Sequence, residues 1–445
     1  MRPRLPSERF HEALYGAIQL LRRRPLARYI RQLEQWERLD PQAFARLRAA
    51  RLARTLGYAK AHVPLYGQGA WREALHGRTL DLRAWPVLTR ETLQARFADL
   101  LARPPIRGTS YRSTSGSTGQ PLRVATDPAG AAWAWASDYR GLLWYGIRMG
   151  DRSLSLRPRT EGPWAEWIRN RYAVPATDLS NERLAAAVRH LQTGKPRYVW
   201  GYTSAVVELA RHARLVAPNA ARPLVPYAKV FGEMLYPFQR QQIEEGLGAR
   251  VISTYGCNET GTAGYECPAG SLHIFADHVE VEIVRDGERV GPGEMGDIVL
   301  TCTTNRAMPL IRYRVGDRGR LLPDPCVCGR PHPVLADIEG RVGDLLLTAR
   351  GERVHGTAAL GQVLKQALRD IPATAIARVL FEQHDRLTWT VLVKPGPGFD
   401  DGAARALVDA VRAKFGAECR VKVQTVAEIP REPSGKFRFY RAARD

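Results

Sequence analysis

Apolar residues recur at helical spacing through residues 7–60, where Phe10, Leu14, Ile18 and Leu21 share one face. The run reads as a helical arm packed by that face on the main body. Arg22, Arg23 and Arg24 would lie on its solvated basic side, ahead of Pro25. Trp85 to Leu88 reads as a short extended piece, and Thr89 is placed to cap a helix from Arg90. Between Ser153 and Val251, the apolar runs SLSL, YVWGY, AKVFGE and RVISTYG alternate with helical patterns. Such alternation predicts an α/β domain with a largely parallel sheet. From Leu272 the texture turns β-rich. HVEVEIV, GDIVLTCT, Pro309 to Arg314 and GRLLP are joined by Gly/Pro turns, which predicts a small barrel or antiparallel sheet. Gly340 to Asp344 punctuates the chain. Beyond it the pattern reads helix (356–368), strand (377–381), strand (387–393), helix (403–415) and strand (419–426), a compact α+β unit. The expected fold class is α/β: a large N-terminal domain over 1–341, with the helical arm at 1–60 and a β-rich subdomain, then a small α+β C-terminal domain over 342–445.

Composition narrows the partners. The chain has 445 residues and a net charge of +21. No apolar run reaches the length needed to cross a bilayer. The N-terminal apolar segment is broken by His11 and Glu12 and lacks a cleavage site, so a cytoplasmic protein is expected. The basic charge suits anionic partners: ATP, coenzyme A, an acidic carrier protein or a membrane surface, to which the N-terminal helix is an alternative docking element. A basic nucleic-acid-binding protein is the distant alternative. Against it, the arginines are scattered, and no helix-turn-helix, zinc-finger or RNP signature is present.

Three groups of residues carry candidate chemistry. Ser113, Thr114, Ser115, Gly116, Ser117, Thr118 and Gly119 form a short run closed by Gln120-Pro121. Its glycines permit close backbone approach and its hydroxyls and N–H groups suit phosphate oxygens; a plain flexible loop is the bland reading of the same composition. Six cysteines in such a chain do not make a disulfide framework. Cys267, His273, Cys326 and Cys328 offer three thiolates and one imidazole, a set that suits tetrahedral zinc. The alternative is unpaired structural cysteines, with His332 and His355 as bystanders. Finally, Trp133, Trp135, Tyr139, Trp144 and Tyr145 crowd a helical segment, where aromatics commonly serve as core.

Five separated motifs, in order, resemble the adenylate-forming superfamily of acyl-CoA synthetases, firefly luciferase and peptide-synthetase adenylation domains. They are STSGSTGQP (Ser113 to Pro121), YGCNETG (Tyr255 to Gly261), RYRVGD (Arg312 to Asp317), GRVGD (Gly340 to Asp344) and PREPSGK (Pro430 to Lys436). AHVPLYG, VFGEML, MPLIRYRVGD, CVCGR and IPREPSGKFRF resemble the branch of phenylacetate–coenzyme A ligases and capsule-biosynthesis proteins. The resemblance implies an AMP-forming ligase with a mobile C-terminal domain, and it assigns roles. Ser113 to Gly119 would hold the β- and γ-phosphates. Glu259 would bind Mg²⁺, and Asp317 the ribose hydroxyls. Arg341 would support the ribose or a phosphate, while Gly232, Glu233, Tyr255, Gly256, Asn258 and Thr260 would line ATP or AMP. Lys436 would bridge the acyl oxygen and the α-phosphate. A small carboxylic acid would then pass to a thiol, with coenzyme A the expected acceptor. The alternative is an adenylating enzyme of a polysaccharide or natural-product pathway that serves a carrier protein or an amine. Tyr139 and Trp144 are the expected walls of an aryl-acid pocket, with Gly232 and Gly264 leaving space for the ring. A dimer is compatible with this reading. The sequence departs from the family pattern at Gln120, where many relatives have lysine and Arg123 is a substitute, at Cys257-Asn258, and at Gly343 beside the pivot position.

Overall fold

Proline and aspartate cut the N-terminal helical pattern into three helices, Pro6–Leu21, Leu26–Trp36 and Pro41–His62. Asp40 caps the third by accepting from the Ala43 amide at 2.8 Å, and Pro41 fills a first-turn position whose missing N–H is not needed. The computed structural model describes residues 3–22, 24–113, 122–158, 160–339, 345–369, 371–372, 374–432, 435–437 and 439–442.

The first helix turns the expected face outward, which corrects the reading of a stripe packed on the main body. Its buried residues are Glu8, His11, Tyr15 and Gln19, while Phe10 and Leu21 are exposed and Leu14 and Ile18 only half-buried. Gly150 is the physical reason. It has a φ of +87°, and a Cβ there would lie 2.5 Å from both the Glu8 carbonyl oxygen and the Glu12 nitrogen. The helix backbone therefore rests directly on this glycine. Arg4 locks the approach through Asp151 Oδ1 at 2.6 Å and the Met149 carbonyl at 2.8 Å.

The described chain divides into two compact units. One unit takes the chain up to Asp151, with Trp167–Asn170 and Ile252–Ile338. The other takes Arg152–Glu166, Arg171–Val251 and the chain from Glu339 onward, so the C-terminal segment groups with the parallel strands.

In the first unit, a five-stranded sheet runs in the order Glu288–Arg289, Val279–Arg285, Gly296–Cys302, Tyr313–Leu321, Leu335–Glu339. Val279, Val281, Ile283, Ile298 and Leu300 bury one face of it with Ala263, Ile274 and Leu335, as strand periodicity requires. Arg250–Cys257, which enters from the other unit, pairs antiparallel with Gly261–Glu266, and that strand pairs antiparallel with Leu272–Ile274. Thr89 caps the helix Arg90–Ala95 through the Thr92 amide at 3.2 Å, as the sequence predicts. Asp127 caps Pro128–Leu143 through Gly130 at 2.9 Å.

In the second unit, Arg171–Pro175, Ser153–Arg157, Tyr198–Tyr202 and Tyr227–Phe231 lie side by side in that order, all parallel. Helices Asn181–Gly194, Thr203–Val216 and Pro237–Leu247 share a core with them that includes Leu154, Val199, Leu209, Val230 and Ile243. The C-terminal sheet runs Arg420–Thr425, Thr388–Pro395, Ile376–Gln383, Tyr440–Arg441. Helices Gly356–Ala367 and Asp401–Phe415 share its core, in which Phe381, Trp389, Leu407 and Phe415 are fully covered. No described helix is long and apolar enough to cross a membrane.

Candidate active site and metal centre

The segment Tyr255 to Gly261 forms a tight hairpin. Gly256 faces Gly261 so closely that a Cβ on it would lie 2.3 Å from the Gly261 carbonyl oxygen, and Gly261 itself has a φ of +79°. Only glycines fit this pair. The turn between them carries Asn258, exposed, and Glu259, half-buried, with Thr260 buried beneath. The Thr260 carbonyl pairs with His278 Nε2 at 2.9 Å, and its hydroxyl lies 3.2 Å from Cys257 Sγ. Burial and the Glu259 charge push the Cys257 thiol well up, so it stays protonated.

Opposite this turn, the strand Tyr313–Leu321 is irregular. Its register with Gly296–Cys302 shifts between Asp297 and Val299, and Gly316 sits in the slack with a φ of +91°. A bulge of this kind re-aims the next side chain, here Asp317. Tyr255 donates to Asp317 Oδ2 at 2.9 Å, and Tyr313 donates to Glu259 Oε1 at 3.0 Å. Each motif thus sends a tyrosine to the other's carboxylate. Both phenols are driven upward, first by burial and then by the carboxylates they face, so they remain donors at any ordinary pH. Tyr313 lay inside a motif, yet its place as the partner of Glu259 was not foreseen.

In the second unit, Gly232 follows the strand Tyr227–Phe231 with a φ of +76°. A Cβ on it would approach Tyr202 Cε1 at 3.0 Å and Lys436 Cε at 3.7 Å. The Lys436 ammonium stands 5.6 Å from the Tyr202 ring centroid, a cation–π distance. Glu233 ties the lysine's segment down: its carboxylate accepts from the Phe437 amide at 2.6 Å, the Ser204 amide at 2.7 Å and the Ser204 hydroxyl at 3.1 Å. Burial still raises the Glu233 carboxyl above its ordinary range, against those bonds and Arg431. Arg431 reaches Ser204 Oγ at 2.6 Å and the Gly435 carbonyl at 3.2 Å, and burial lowers it to about 10. Sequence reasoning missed Tyr202, Ser204 and Arg431. Arg431 had a signal, since it stands inside PREPSGK; Ser204 and Tyr202 had none.

Ser113 ends the strand Ser110–Ser113, exposed and paired with Arg123 of Arg123–Thr126. Arg123 stacks over Phe97 at 4.6 Å. Thr114, Ser115, Gly116, Ser117, Thr118, Gly119 and Arg341 lie outside the described residues. Tyr139 and Trp144 have different neighbours. Five residues at helical pitch point about 140° apart. Tyr139 packs against the cluster of Tyr15, Leu33 and Trp133, whereas Trp144 donates to Glu37 at 2.9 Å and meets Tyr265, His273 and Phe275 edge-on. Gly264 leaves no gap either, because a Cβ there would lie 3.1 Å from the His273 carbonyl and from Ile274 Cδ1.

The predicted quartet does come together. The ligand atoms of Cys267, His273, Cys326 and Cys328 all lie within 4.8 Å of one another. Cys267 and Cys326 sulfurs are 3.8 Å apart, and Cys328 Sγ lies 3.2 Å from His273 Nε2. Two thiolates on tetrahedral zinc stand about 3.8 Å apart, so the donor set fits. Each cysteine turn closes on a left-handed glycine: Gly270 N donates to Cys267 O at 2.8 Å and Gly329 N to Cys326 O at 3.1 Å. His273 Nδ1 pairs with the His332 carbonyl at 2.9 Å, which leaves Nε2 as the ligand atom. Although burial opposes it, hydrogen bonds from Ser271 and Cys328 hold the Cys326 thiol below its ordinary range.

Comparison with known proteins supplies a frame for these sites. The family model of the CapK C-terminal domain matches residues 346–442. The phenylacetate-coenzyme A ligase of Thermus thermophilus is 28% identical over 345 residues, covering 72% of this chain and 75% of its own. The protein of the same name from Aromatoleum evansii is 24% identical over 427 residues, covering 91% and 95%. A solved 2-hydroxyisobutyryl-CoA ligase, in the postadenylation state in complex with R3-HIB-AMP, matches with a TM-score of 0.74 at 21% identity and covers 92% of each chain. At that identity the likeness is one of fold.

Proposed function

The chain belongs to the adenylate-forming superfamily of acyl-CoA synthetases, and from that premise we propose that it is an AMP-forming acid–thiol ligase with coenzyme A as acceptor. The observation that carries this reading is the crossed pair Tyr255–Asp317 and Tyr313–Glu259, which makes one arrangement of two motifs 54 to 62 residues apart. Asp317 offers two acceptor oxygens, a match for two ribose hydroxyls. Glu259 is a hard oxygen ligand of the kind Mg²⁺ takes, and the metal would supply charge neutralisation at the phosphates. Ser113 to Gly119 and Arg341 are assigned to phosphate and ribose, and Gly232, Glu233, Gly256, Asn258 and Thr260 to the adenylate. In the first step a carboxylate oxygen attacks the α-phosphorus of ATP, and pyrophosphate leaves. Lys436 offsets the charge where these two anions meet. In the second step the thiol sulfur attacks the acyl carbon, its proton passes to solvent, and AMP leaves.

We propose an aryl acid as the substrate class, since these relatives are named for phenylacetate. Pyrophosphate release over a carboxylate panel led by phenylacetate, with coenzyme A, a carrier protein or an amine added in parallel, tests the assignment. AMP and a thioester from one acid are expected. ATP turnover that yields ADP, or no AMP with any acid, overturns it. Asp317→Ala raises the KM for ATP at least tenfold in the same assay, with a smaller change in kcat; an unchanged KM removes Asp317 from the ribose.

Zinc belongs to the proposal as a structural ion. Four protein ligands leave no open coordination position, and Cys267 and Cys326 tie together turns 59 residues apart in sequence. Elemental analysis of purified protein gives one zinc per chain, and Cys328→Ser lowers both zinc content and melting temperature. Metal-free protein with three freely titrating thiols would refute the ion.

A further inference from the structure

The outward face of the first helix has no use in the ligase reading. Phe10 is 54% exposed, Leu20 67% and Leu21 84%, and they continue through Ala13 and Ala17 along one side of Pro6–Leu21. Trp167 extends the strip. It is 49% exposed, lies 6.2 Å from the Phe10 ring and 5.1 Å from His11, and the His11 Nδ1 faces the Ile168 carbonyl at 3.3 Å. The orientation is not loose, because Gly150, Arg4 and Asp151 fix the polar side of the helix inward. A polar-in, apolar-out helix leaves a strip of large side chains in water that a soluble monomer does not need.

Its charge says what covers it. Arg9 and Arg22 are exposed at the two ends of the strip, and the next helix adds exposed Arg28 and Arg31. These two, with Gln32, Gln35 and Trp36, line an open groove of about 450 Å³. Among the described residues, no acidic side chain lines that groove. A second copy of this chain on the same face would bring these arginines together, and the chain's net charge of +21 adds to the repulsion. An anionic lipid surface satisfies both parts at once. Phe, Leu and Trp enter the headgroup–acyl boundary, while arginines reach the phosphates. We propose that this face docks the protein on a membrane surface rich in anionic phospholipid, as a peripheral contact and not a span.

Co-sedimentation with phosphatidylglycerol/phosphatidylcholine vesicles, against phosphatidylcholine alone, tests it. Wild-type protein pellets with the anionic vesicles, and binding falls as salt rises. Each arginine near the surface contributes about fivefold, so Arg22→Glu/Arg28→Glu/Arg31→Glu abolishes pelleting. Phe10→Gln/Leu20→Gln/Leu21→Gln lowers binding at least tenfold with an unchanged melting temperature, while Leu215→Gln, exposed in the other unit, has no effect. Wild-type protein that stays in the supernatant with anionic vesicles overturns the proposal. So does a dimer in sedimentation velocity that the glutamine variant dissolves, since the face would then belong to a second copy. Binding that survives both triple variants overturns it as well.

Discussion

Lys436→Ala slows acyl-adenylate formation by about 10²–10³-fold, which corresponds to roughly 3–4 kcal/mol of lost charge stabilisation. The geometry supports so large an effect from one side chain. Lys436 is delivered by a segment held on both sides, through the Phe437 amide on Glu233 at 2.6 Å and through Arg431 on Ser204 Oγ at 2.6 Å. Gly435, with a φ of +80°, lets the chain turn just before it. The lysine side chain runs beside Gly232, where a Cβ would lie 3.7 Å from Lys436 Cε, and its ammonium stands 5.6 Å from the Tyr202 ring centroid. Pyrophosphate exchange measures adenylation alone. Thioester formation from a synthetic acyl adenylate measures the second step alone, and there the variant stays within a few-fold of wild type. A merely structural lysine would depress both steps and the melting temperature together. Wild-type exchange rates in Lys436→Ala would remove it from the chemistry.

How far the sequence foretold these features depends on which interaction decides each one. Two helices and three strands of the C-terminal segment were legible because they are amphipathic, whereas the short strands Leu345–Leu347, Arg353–His355 and Tyr440–Arg441 were not. Ile376–Gln383 and Thr388–Pro395 alternate inward and outward, and Asp401–Phe415 keeps helical spacing. The cysteine–histidine quartet was legible from residue type alone, since few other environments gather three thiols and an imidazole. The arm was misread because periodicity identifies an apolar face without saying where it points. Gly150 and the Arg4–Asp151 pair decide that, and Asp151 lies 147 residues beyond Arg4 in sequence. For Tyr139 and Trp144 the sequence shows nearness along the chain but not direction, and five helical steps give them different neighbours. The tyrosine–carboxylate crossing could not be read at all. It depends on a bulge at Gly316 that brings Asp317 round to Tyr255.

Arg140→Met destabilises the first unit by about 3–5 kcal/mol, the cost of stranding a buried carboxylate, and lowers its melting transition by on the order of 10 °C. Arg140 is 1% exposed and donates to Asp277 from Nη1 and Nη2, at 2.5 and 3.0 Å, while lying 4.0 Å from the Phe275 ring centroid. Burial alone would raise the Asp277 carboxyl, but Arg140 outweighs it and the group is lowered to about 2. The folded value lies below the ordinary carboxylate range. Its contribution is therefore complete above about pH 4 and is lost as pH falls toward 2. In Arg140→Met that source of acid sensitivity disappears, because a stranded carboxylate gains by taking up a proton. Asp277→Leu is milder, since Arg140 keeps Glu37 at 3.6 Å. The double variant Arg140→Met/Asp277→Leu recovers most of the loss, because it removes the two facing charges together, while Glu37 keeps its hydrogen bonds from Trp144. Melting curves of the four proteins at pH 7 decide the matter. If the double variant is as unstable as the sum of the two single ones, Arg140 and Asp277 do not act as a pair, and the packing around Phe275 accounts for the effect instead.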